Sequence, residues 1–198
     1  MSEINRDKEA ARLLVRDRLA SVRASEIRAW SSAISERLLE WSVTRDAECP
    51  MVYLATPDEA WVDGYADQRI RDGLEVCGPR VDWQTWEMTP KSLESFGSGI
   101  EIRKHGIREP IGDAATVDPV RIDVVLIPGV VFDESGTRVG RGAGCYDRFF
   151  ARNDLMEGIL AVGVCFEAQL VDSAPSEGHD VRLDAIVTEQ RIIEPMKL

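Results

Sequence analysis

The stretch Asp123-Val-Val-Leu-Ile-Pro-Gly-Val-Val-Phe-Asp133 decides the fold class of this chain. A short apolar run that Pro128-Gly129 interrupts is typical of a buried strand, which we predict over residues 121–127. Other short apolar runs predict strands over residues 51–55, 74–77 and 160–166, and a last strand over residues 185–188. Strands that are apolar throughout are typical of parallel sheets covered on both faces.

Helical patterns separate most of these strands. Apolar residues recur at helical spacing over residues 3–22 and 25–41, and Ser25 is the predicted N-cap of the second helix. Two shorter helices are predicted over residues 60–72 and 146–152. This alternation predicts an α/β fold, a single three-layer domain over residues 1–198 with a largely parallel sheet flanked by helices. Ligands bind beyond the carboxyl ends of strands in such sheets, so the loops after residues 55, 127 and 166 are expected to carry the site.

The segment over residues 80–118 is rich in Gly and Pro and gives a weaker signal. Gly78-Pro79 is expected to end the strand over residues 74–77, because proline lacks the N–H that a ladder needs. The pattern over residues 81–88 favours an extended conformation.

Composition excludes several classes of function. The 198 residues are 44% hydrophobic and 30% charged, and 35 acidic against 24 basic residues give a net charge of −11. Such a chain is a poor general binder of nucleic acid or of an anionic membrane. The apolar runs are too short to span a bilayer, and the charged start does not resemble a signal peptide, so we expect a cytoplasmic protein.

The cysteines indicate a reducing compartment rather than a scaffold. Cys49, Cys77, Cys145 and Cys165 show no CxxC spacing, and the chain has only two histidines. Neither a zinc site nor a disulfide framework is therefore predicted.

The glycine-rich stretch Gly136-Thr-Arg-Val-Gly-Arg-Gly-Ala-Gly-Cys-Tyr-Asp-Arg148 carries the strongest functional signal. Glycines leave backbone N–H groups free to converge on an anion, and the predicted helix adds its positive end. Arg138 and Arg141 are candidates to hold phosphate oxygens, and Asp147 is a candidate Mg²⁺ ligand. The stretch matches neither a Walker loop nor a dinucleotide fingerprint. The alternative is a flexible surface loop with solvated arginines.

Five further charged residues are candidates, each with a plainer structural alternative. Lys8 and Arg12 are four residues apart and share a helix face, so both could reach one phosphate. Glu59 follows a predicted strand, where a carboxylate could bind a polar ligand edge. Glu109 lies in a predicted rigid turn. Asp180 is a possible second metal carboxylate. Each could equally be a solvated or structural charge.

In chain order, these pieces resemble the 5-formyltetrahydrofolate cyclo-ligase family, also called methenyltetrahydrofolate synthetase. The block Pro-Gly-x-x-Phe-Asp at 128–133 and the block Gly-Arg-Gly-x-Gly-x-Tyr-Asp-Arg at 140–148 are its most specific parts. Weaker matches lie at residues 8–12, 53–59, 106–110, 169–172, 179–180 and 186–189. The resemblance implies that 5-formyltetrahydrofolate is closed to 5,10-methenyltetrahydrofolate with Mg²⁺ and ATP, releasing ADP and phosphate, in one-carbon metabolism. We expect a monomer whose partners are these small molecules.

The resemblance also implies a role for each matching residue. Arg141 and Tyr146 would be catalytic, and Asp147 and Asp180 would hold Mg²⁺. ATP would contact Lys8, Arg12, Arg138, Val139, Gly140, Arg141, Gly142, Ala143, Gly144, Cys145 and Tyr146. The folate would contact Glu59, Arg141, Gly142, Ala143, Gly144 and Cys145.

Two positions depart from the family pattern. Cys145 stands where a tyrosine is usual, and Ala55 replaces a proline. We expect weaker folate binding, unless Tyr146 or a tryptophan supplies the missing ring. A thiol beside arginines and a helix start is also expected to have a lowered pKa. A non-catalytic homologue that binds folate or nucleotide, and a sugar-phosphate enzyme on a similar sheet, stay open as alternatives.

Overall fold

A computed structural model describes residues 2–96, 99–152 and 158–196. Its helices are α1 (Glu3–Leu19), α2 (Ala24–Glu40), α3 (Ser42–Arg45), α4 (Asp63–Arg71) and α5 (Cys145–Arg152). Its strands are β1 (Cys77–Val81), β2 (Met88–Ser92), β3 (Ile100–Ile102), β4 (Arg108–Pro110), β5 (Val124–Pro128), β6 (Val131–Asp133), β7 (Arg138–Val139), β8 (Leu160–Val164), β9 (Leu170–Val171), β10 (Ala185–Val187) and β11 (Ile192–Ile193).

The central sheet has the order β11-β10-β8-β5. β5, β8 and β10 are parallel, and β11 is antiparallel at the edge. On the other side of β5, Met51 forms parallel bridges to both Val125 and Cys77, and so joins the sheet to the β1–β2 hairpin. The predicted α/β class with a largely parallel sheet is confirmed.

Alternate residues of β5 enter two separate cores, one on each face of the sheet. Val124 and Leu126 belong to a cluster that includes residues of α2 and α4. Val125 and Ile127 belong to a second cluster that includes Phe149 and Phe150 of α5. Helices therefore cover both faces, which gives the three predicted layers. In the part of the chain that the structure describes, no helix is long and apolar enough to cross a membrane.

The predicted helices exist, but several of their ends were wrong. The first helix ends at Leu19 rather than at residue 22. Ser25 is not the N-cap of α2; Arg23 is, and its backbone N–H donates to the Glu26 carboxylate at 3.1 Å. The helix predicted over residues 60–72 is confined to Asp63–Arg71, and the Trp61 backbone N–H, which lies before it, donates to Ser31 Oγ at 3.1 Å.

Two predictions about the strands near the site were wrong. The strand predicted over residues 51–55 is reduced to the bridges at Met51, although the Val52 N–H still bonds to the Cys77 carbonyl at 2.8 Å. Gly78-Pro79 does not end a strand but lies inside β1, where Pro79 faces Pro90. Directly opposed residues of an antiparallel pair exchange either two hydrogen bonds or none, so two facing prolines cost no ladder bond.

Three further predictions were corrected by turns. Residues 81–88 are not extended throughout, because a turn at residues 83–85 connects β1 to β2. The strand over residues 185–188 is not the last, since the chain turns back into β11. The strand predicted over residues 121–127 begins at Val124, after a 3₁₀ turn over Pro119–Arg121.

Candidate active site

A cavity of about 740 Å³ opens beyond the carboxyl end of β5. Its wall is built from α1, the segment 53–59, the β1–β2 hairpin, residues 107–109, the glycine-rich loop with α5, and residues 177–180. The wall includes every residue that the sequence singled out for a site: Lys8, Arg12, Glu59, Glu109, Arg138, Val139, Gly140, Arg141, Gly142, Ala143, Gly144, Cys145, Tyr146, Asp147 and Asp180. The fold thus brings the predicted set together, and their individual roles stay predictions.

The glycine-rich loop connects the end of β7 to the start of α5. Gly142 and Gly144 have φ angles of 102° and 64°, which residues with a Cβ rarely adopt. The preceding turn is fixed by the buried carboxylate of Asp133, which accepts hydrogen bonds from three backbone N–H groups, those of Ser135, Thr137 and Ala174. The loop therefore begins from a rigid support.

Arg141 reaches from this loop to the segment after Met51. Its Nε donates to Glu59 Oε1 at 3.1 Å, and its terminal nitrogen lies 3.0 Å from both oxygens of Asp58 and 2.9 Å from the Thr56 hydroxyl. The second Glu59 oxygen accepts the Thr56 backbone N–H at 2.8 Å. Sequence reasoning found Arg141 and Glu59 but missed Asp58, and it did not predict that the first two form an ion pair.

The basic residues of α1 have two different partners. Lys8 Nζ lies 2.8 Å from Asp180 Oδ2 and 2.9 Å from Glu177 Oε2. Burial alone would lower the pKa of Lys8, but these carboxylates raise it above its ordinary value. Arg12 instead donates from Nε to the Gly140 carbonyl at 2.9 Å. Helix α1 is thereby attached to both neighbouring loops, and Glu177 is a partner that the sequence did not indicate.

Arg138 and Asp147 form a shielded ion pair beneath the loop. The distance between Arg138 Nη2 and Asp147 Oδ1 is 3.1 Å, and the same oxygen accepts the Val181 backbone N–H at 3.0 Å. The Arg138 guanidinium also lies 5.7 Å from the centre of the Tyr146 ring. Burial raises the pKa of Tyr146 well above its ordinary value, so its phenol stays protonated at neutral pH.

The two predicted metal ligands fit a hard cation in their chemistry. Asp147 Oδ2 accepts no hydrogen bond within residues 2–96, 99–152 and 158–196, and Asp180 Oδ1 lies 3.8 Å from His179 Nε2. Carboxylate oxygens are the ligands that Mg²⁺ prefers. One ligand atom each from Glu177, His179 and Asp180 also lie within 4.8 Å of one another. A cation at Asp180 would compete with the ammonium of Lys8.

The prediction of a lowered pKa for Cys145 was wrong. Burial raises the pKa of this thiol above its ordinary value, although the Arg148 guanidinium acts in the opposite direction. The Arg148 side chain is already engaged by the Ala143 carbonyl. The thiol is therefore not a reactive thiolate at neutral pH.

Glu109 lies in the cavity wall, but the prediction that residues 106–110 form a turn was wrong for this residue, because Arg108–Pro110 form strand β4. Glu109 follows a 3₁₀ turn in which Gly106 has a φ of 74°, and only 1% of its residue surface is exposed. Burial raises the pKa of Glu109, which the Val81 N–H at 3.3 Å and Arg103 Nε at 3.5 Å offset only in part. These contacts attach β4 to the end of β1.

Comparison with known proteins gives one consistent family. The model of the 5-formyltetrahydrofolate cyclo-ligase family matches residues 4–189. A probable 5-formyltetrahydrofolate cyclo-ligase of Schizosaccharomyces pombe is 30% identical over 105 residues, which cover 48% of this chain and 52% of the relative. A probable cyclo-ligase of Caenorhabditis elegans is 24% identical over 201 residues, which cover 98% of each chain.

Solved structures share the same fold. The 5,10-methenyltetrahydrofolate synthetase of Aquifex aeolicus superposes with a TM-score of 0.79 at 24% identity, over 96% of this chain and 94% of that one. The synthetase of Mycoplasma pneumoniae gives 0.71 at 22% identity, over 92% and 99%. At these identities the likeness establishes the fold.

The fold and the family match together define an α/β enzyme of the ligase class. More particularly, the chain belongs to the 5-formyltetrahydrofolate cyclo-ligase family.

Proposed function

We propose that this chain closes 5-formyltetrahydrofolate to 5,10-methenyltetrahydrofolate with Mg²⁺ and ATP, releasing ADP and phosphate. One observation carries the proposal: Lys8 and Arg12 of α1 share one cavity with the Gly-Arg-Gly loop and Glu59. Cations from two distant parts of the chain suit a polyphosphate, and an acidic group beside them suits a polar heterocycle. We further propose that the protein acts as a single-domain, cytoplasmic monomer.

Binding of ATP would exchange partners that the side chains already have. Lys8 leaves Glu177 and Asp180, and Arg141 leaves Asp58, each for phosphate oxygens. Glu59, once released by Arg141, accepts hydrogen bonds from the pterin of the folate. The ion pairs seen here hold these side chains in place before either substrate enters.

The chemistry needs positioning and charge neutralisation rather than a protein nucleophile. The formyl oxygen attacks the γ-phosphorus and ADP leaves. N10 of the same folate attacks the activated carbon and loses its proton, and the original formyl oxygen departs with the phosphate. Arg141 neutralises charge on the transferred group, and the protonated Tyr146 phenol can donate a hydrogen bond to a ligand oxygen.

Asp147 and Asp180 would hold the Mg²⁺. When bound, the ion would neutralise part of the phosphate charge. The Arg138 guanidinium keeps Asp147 in place from beneath the loop, and the second oxygen of that carboxylate stays available.

The test is formation of the methenyl product, which is followed by its absorbance. Purified protein is mixed with 5-formyltetrahydrofolate and Mg-ATP, with omission of each component in turn, and Arg141→Ala is the matched control. We expect product only in the complete mixture, and a loss on the order of 10²- to 10³-fold in the variant. A wild type that binds both ligands but forms no product would favour the alternative of a non-catalytic homologue. The feature of the sequence that favours this alternative is Cys145 in place of the usual tyrosine.

A further inference from the structure

The tip of the β1–β2 hairpin places two tryptophans in the wall of the cavity. Trp83 and Trp86 both line it, with ring centres 5.5 Å apart and planes at 73°. The Lys104 ammonium lies 6.0 Å from the centre of the Trp83 ring. Neither tryptophan belongs to the family motifs that the sequence displays, and none of the roles proposed above uses them.

The tip is held in a defined conformation. Asp82 Oδ1 accepts the backbone N–H groups of Gln84 at 2.8 Å and Thr85 at 3.3 Å, and the Asp82 carbonyl accepts that of Trp86 at 2.7 Å. Trp86 has a φ of 62°, which is rare for a bulky residue and persists only where the surroundings fix it. Next to Trp86, the Glu87 carboxylate forms an ion pair with Arg152 of α5 at 2.5 Å. The indoles are therefore preorganised rather than loosely exposed.

The surroundings of the two indoles suit an apolar, planar group. Pro79, Val81 and Met88 of the same hairpin contribute apolar surface to the cavity wall, and Ile107 adds more beside Arg108 and Glu109. The cations proposed to hold phosphates lie on elements other than the hairpin. Lys8 bonds to Glu177 and Asp180, and Arg12 bonds to the Gly140 carbonyl. An aromatic ring that enters beside the hairpin can stack on either indole.

A chain of contacts connects the hairpin to the proposed pterin site. The Val81 N–H bonds to Glu109, and the adjacent Arg108 bonds to the Ala55 carbonyl at 3.1 Å, just before the segment that carries Glu59. We propose that Trp83 and Trp86 bind the benzoyl ring of the folate, which follows the pterin by one short link. The inference rests on the proposed function, and it names the aromatic surface that Cys145 does not supply.

Steady-state kinetics of single variants tests this assignment. Trp83→Leu and Trp86→Leu should each raise the KM for 5-formyltetrahydrofolate about twofold to tenfold and leave the KM for ATP unchanged. Trp83→Phe and Trp86→Phe keep a ring and should recover most of the loss. Trp41→Phe, at the end of α2 and outside the cavity wall, is the matched control. A rise in the KM for ATP instead would assign the indoles to adenine, and no change in either KM would also refute the proposal.

Calorimetric titration of the folate without ATP separates this inference from the proposed function. If the wild type binds 5-formyltetrahydrofolate but forms no product, the proposed activity fails. Weaker binding by both Leu variants would then still support the aromatic site. Equal affinity of the wild type and of folded Leu variants, with melting temperatures as the check on folding, would overturn it.

Discussion

The proposal that Arg141 binds ATP phosphates predicts that Asp58 competes with ATP for this guanidinium, so removal of the Asp58 charge should strengthen ATP binding. The carboxylate lies 3.0 Å from the guanidinium through both of its oxygens. Burial alone would raise the pKa of Asp58, but hydrogen bonds from Thr56 and Arg141 hold it below its ordinary value, so the group is charged at neutral pH. Asp58→Asn keeps the shape of the side chain and removes its charge.

Exposure decides the magnitude. The Asp58 side chain is 70% exposed and that of Arg141 is 49% exposed. Ion pairs at such positions contribute about 0.2–1 kcal/mol, which corresponds to a factor of about 1.4 to 5 in affinity. The same screening predicts that the effect shrinks as the salt concentration rises.

The assay is the KM for ATP at saturating folate, measured for the wild type and for Asp58→Asn. We expect this KM to fall by the stated factor in the variant. Asp46→Asn is the control, since Asp46 is an exposed partner of Arg45 outside the cavity wall. An unchanged KM would refute the competition, and a raised KM would mean that Asp58 positions Arg141 for ATP.

Three other substitutions test different parts of the site. Cys145→Tyr should lower the KM for the folate a few-fold and leave the KM for ATP unchanged, unless the side chain at this position faces away from the folate. Asp147→Asn should raise the Mg²⁺ concentration needed for half-maximal activity, and an unchanged Mg²⁺ titration would exclude it as a ligand. Burial alone would raise the pKa of Asp133, but the hydrogen bonds that its carboxylate accepts hold this pKa below its ordinary value. The charged carboxylate therefore stabilises the fold above about pH 4, and this stabilisation is lost as the pH falls through the pKa of the folded state. The free energy of unfolding should therefore depend less on pH below about pH 4 in Asp133→Asn than in the wild type, and parallel curves would contradict this.

The sequence predicted the layers of the fold because they follow from local patterns. The apolar runs at β5, β8 and β10 need only a buried environment on both faces, and that requirement is visible in the chain itself. The residues at which strands and helices begin and end depend instead on partners that are distant in the sequence. Pro79 is compatible with a strand because the register places it opposite Pro90, at a pair that exchanges no ladder hydrogen bond, and no local signal reports that register.

The candidate site was predicted in its residues but not in its contacts. The glycine-rich loop and Glu59 carried recognisable chemistry at recognisable positions. Nothing in the sequence distinguishes Asp58 and Glu177 from the many other acidic residues. Only the fold brings them to Arg141 and Lys8. The prediction of a lowered pKa for Cys145 was based on the neighbouring charges alone. Burial of the thiol has the larger effect and raises its pKa.

The most direct test of the proposed mechanism follows the formyl oxygen. 5-Formyltetrahydrofolate labelled with ¹⁸O in the formyl group is converted with unlabelled ATP, and the released inorganic phosphate is analysed by mass spectrometry. Transfer of the γ-phosphoryl group onto the formyl oxygen predicts one ¹⁸O atom in each phosphate for each methenyl product formed. Unlabelled phosphate, or product formed without consumption of ATP, would contradict the account.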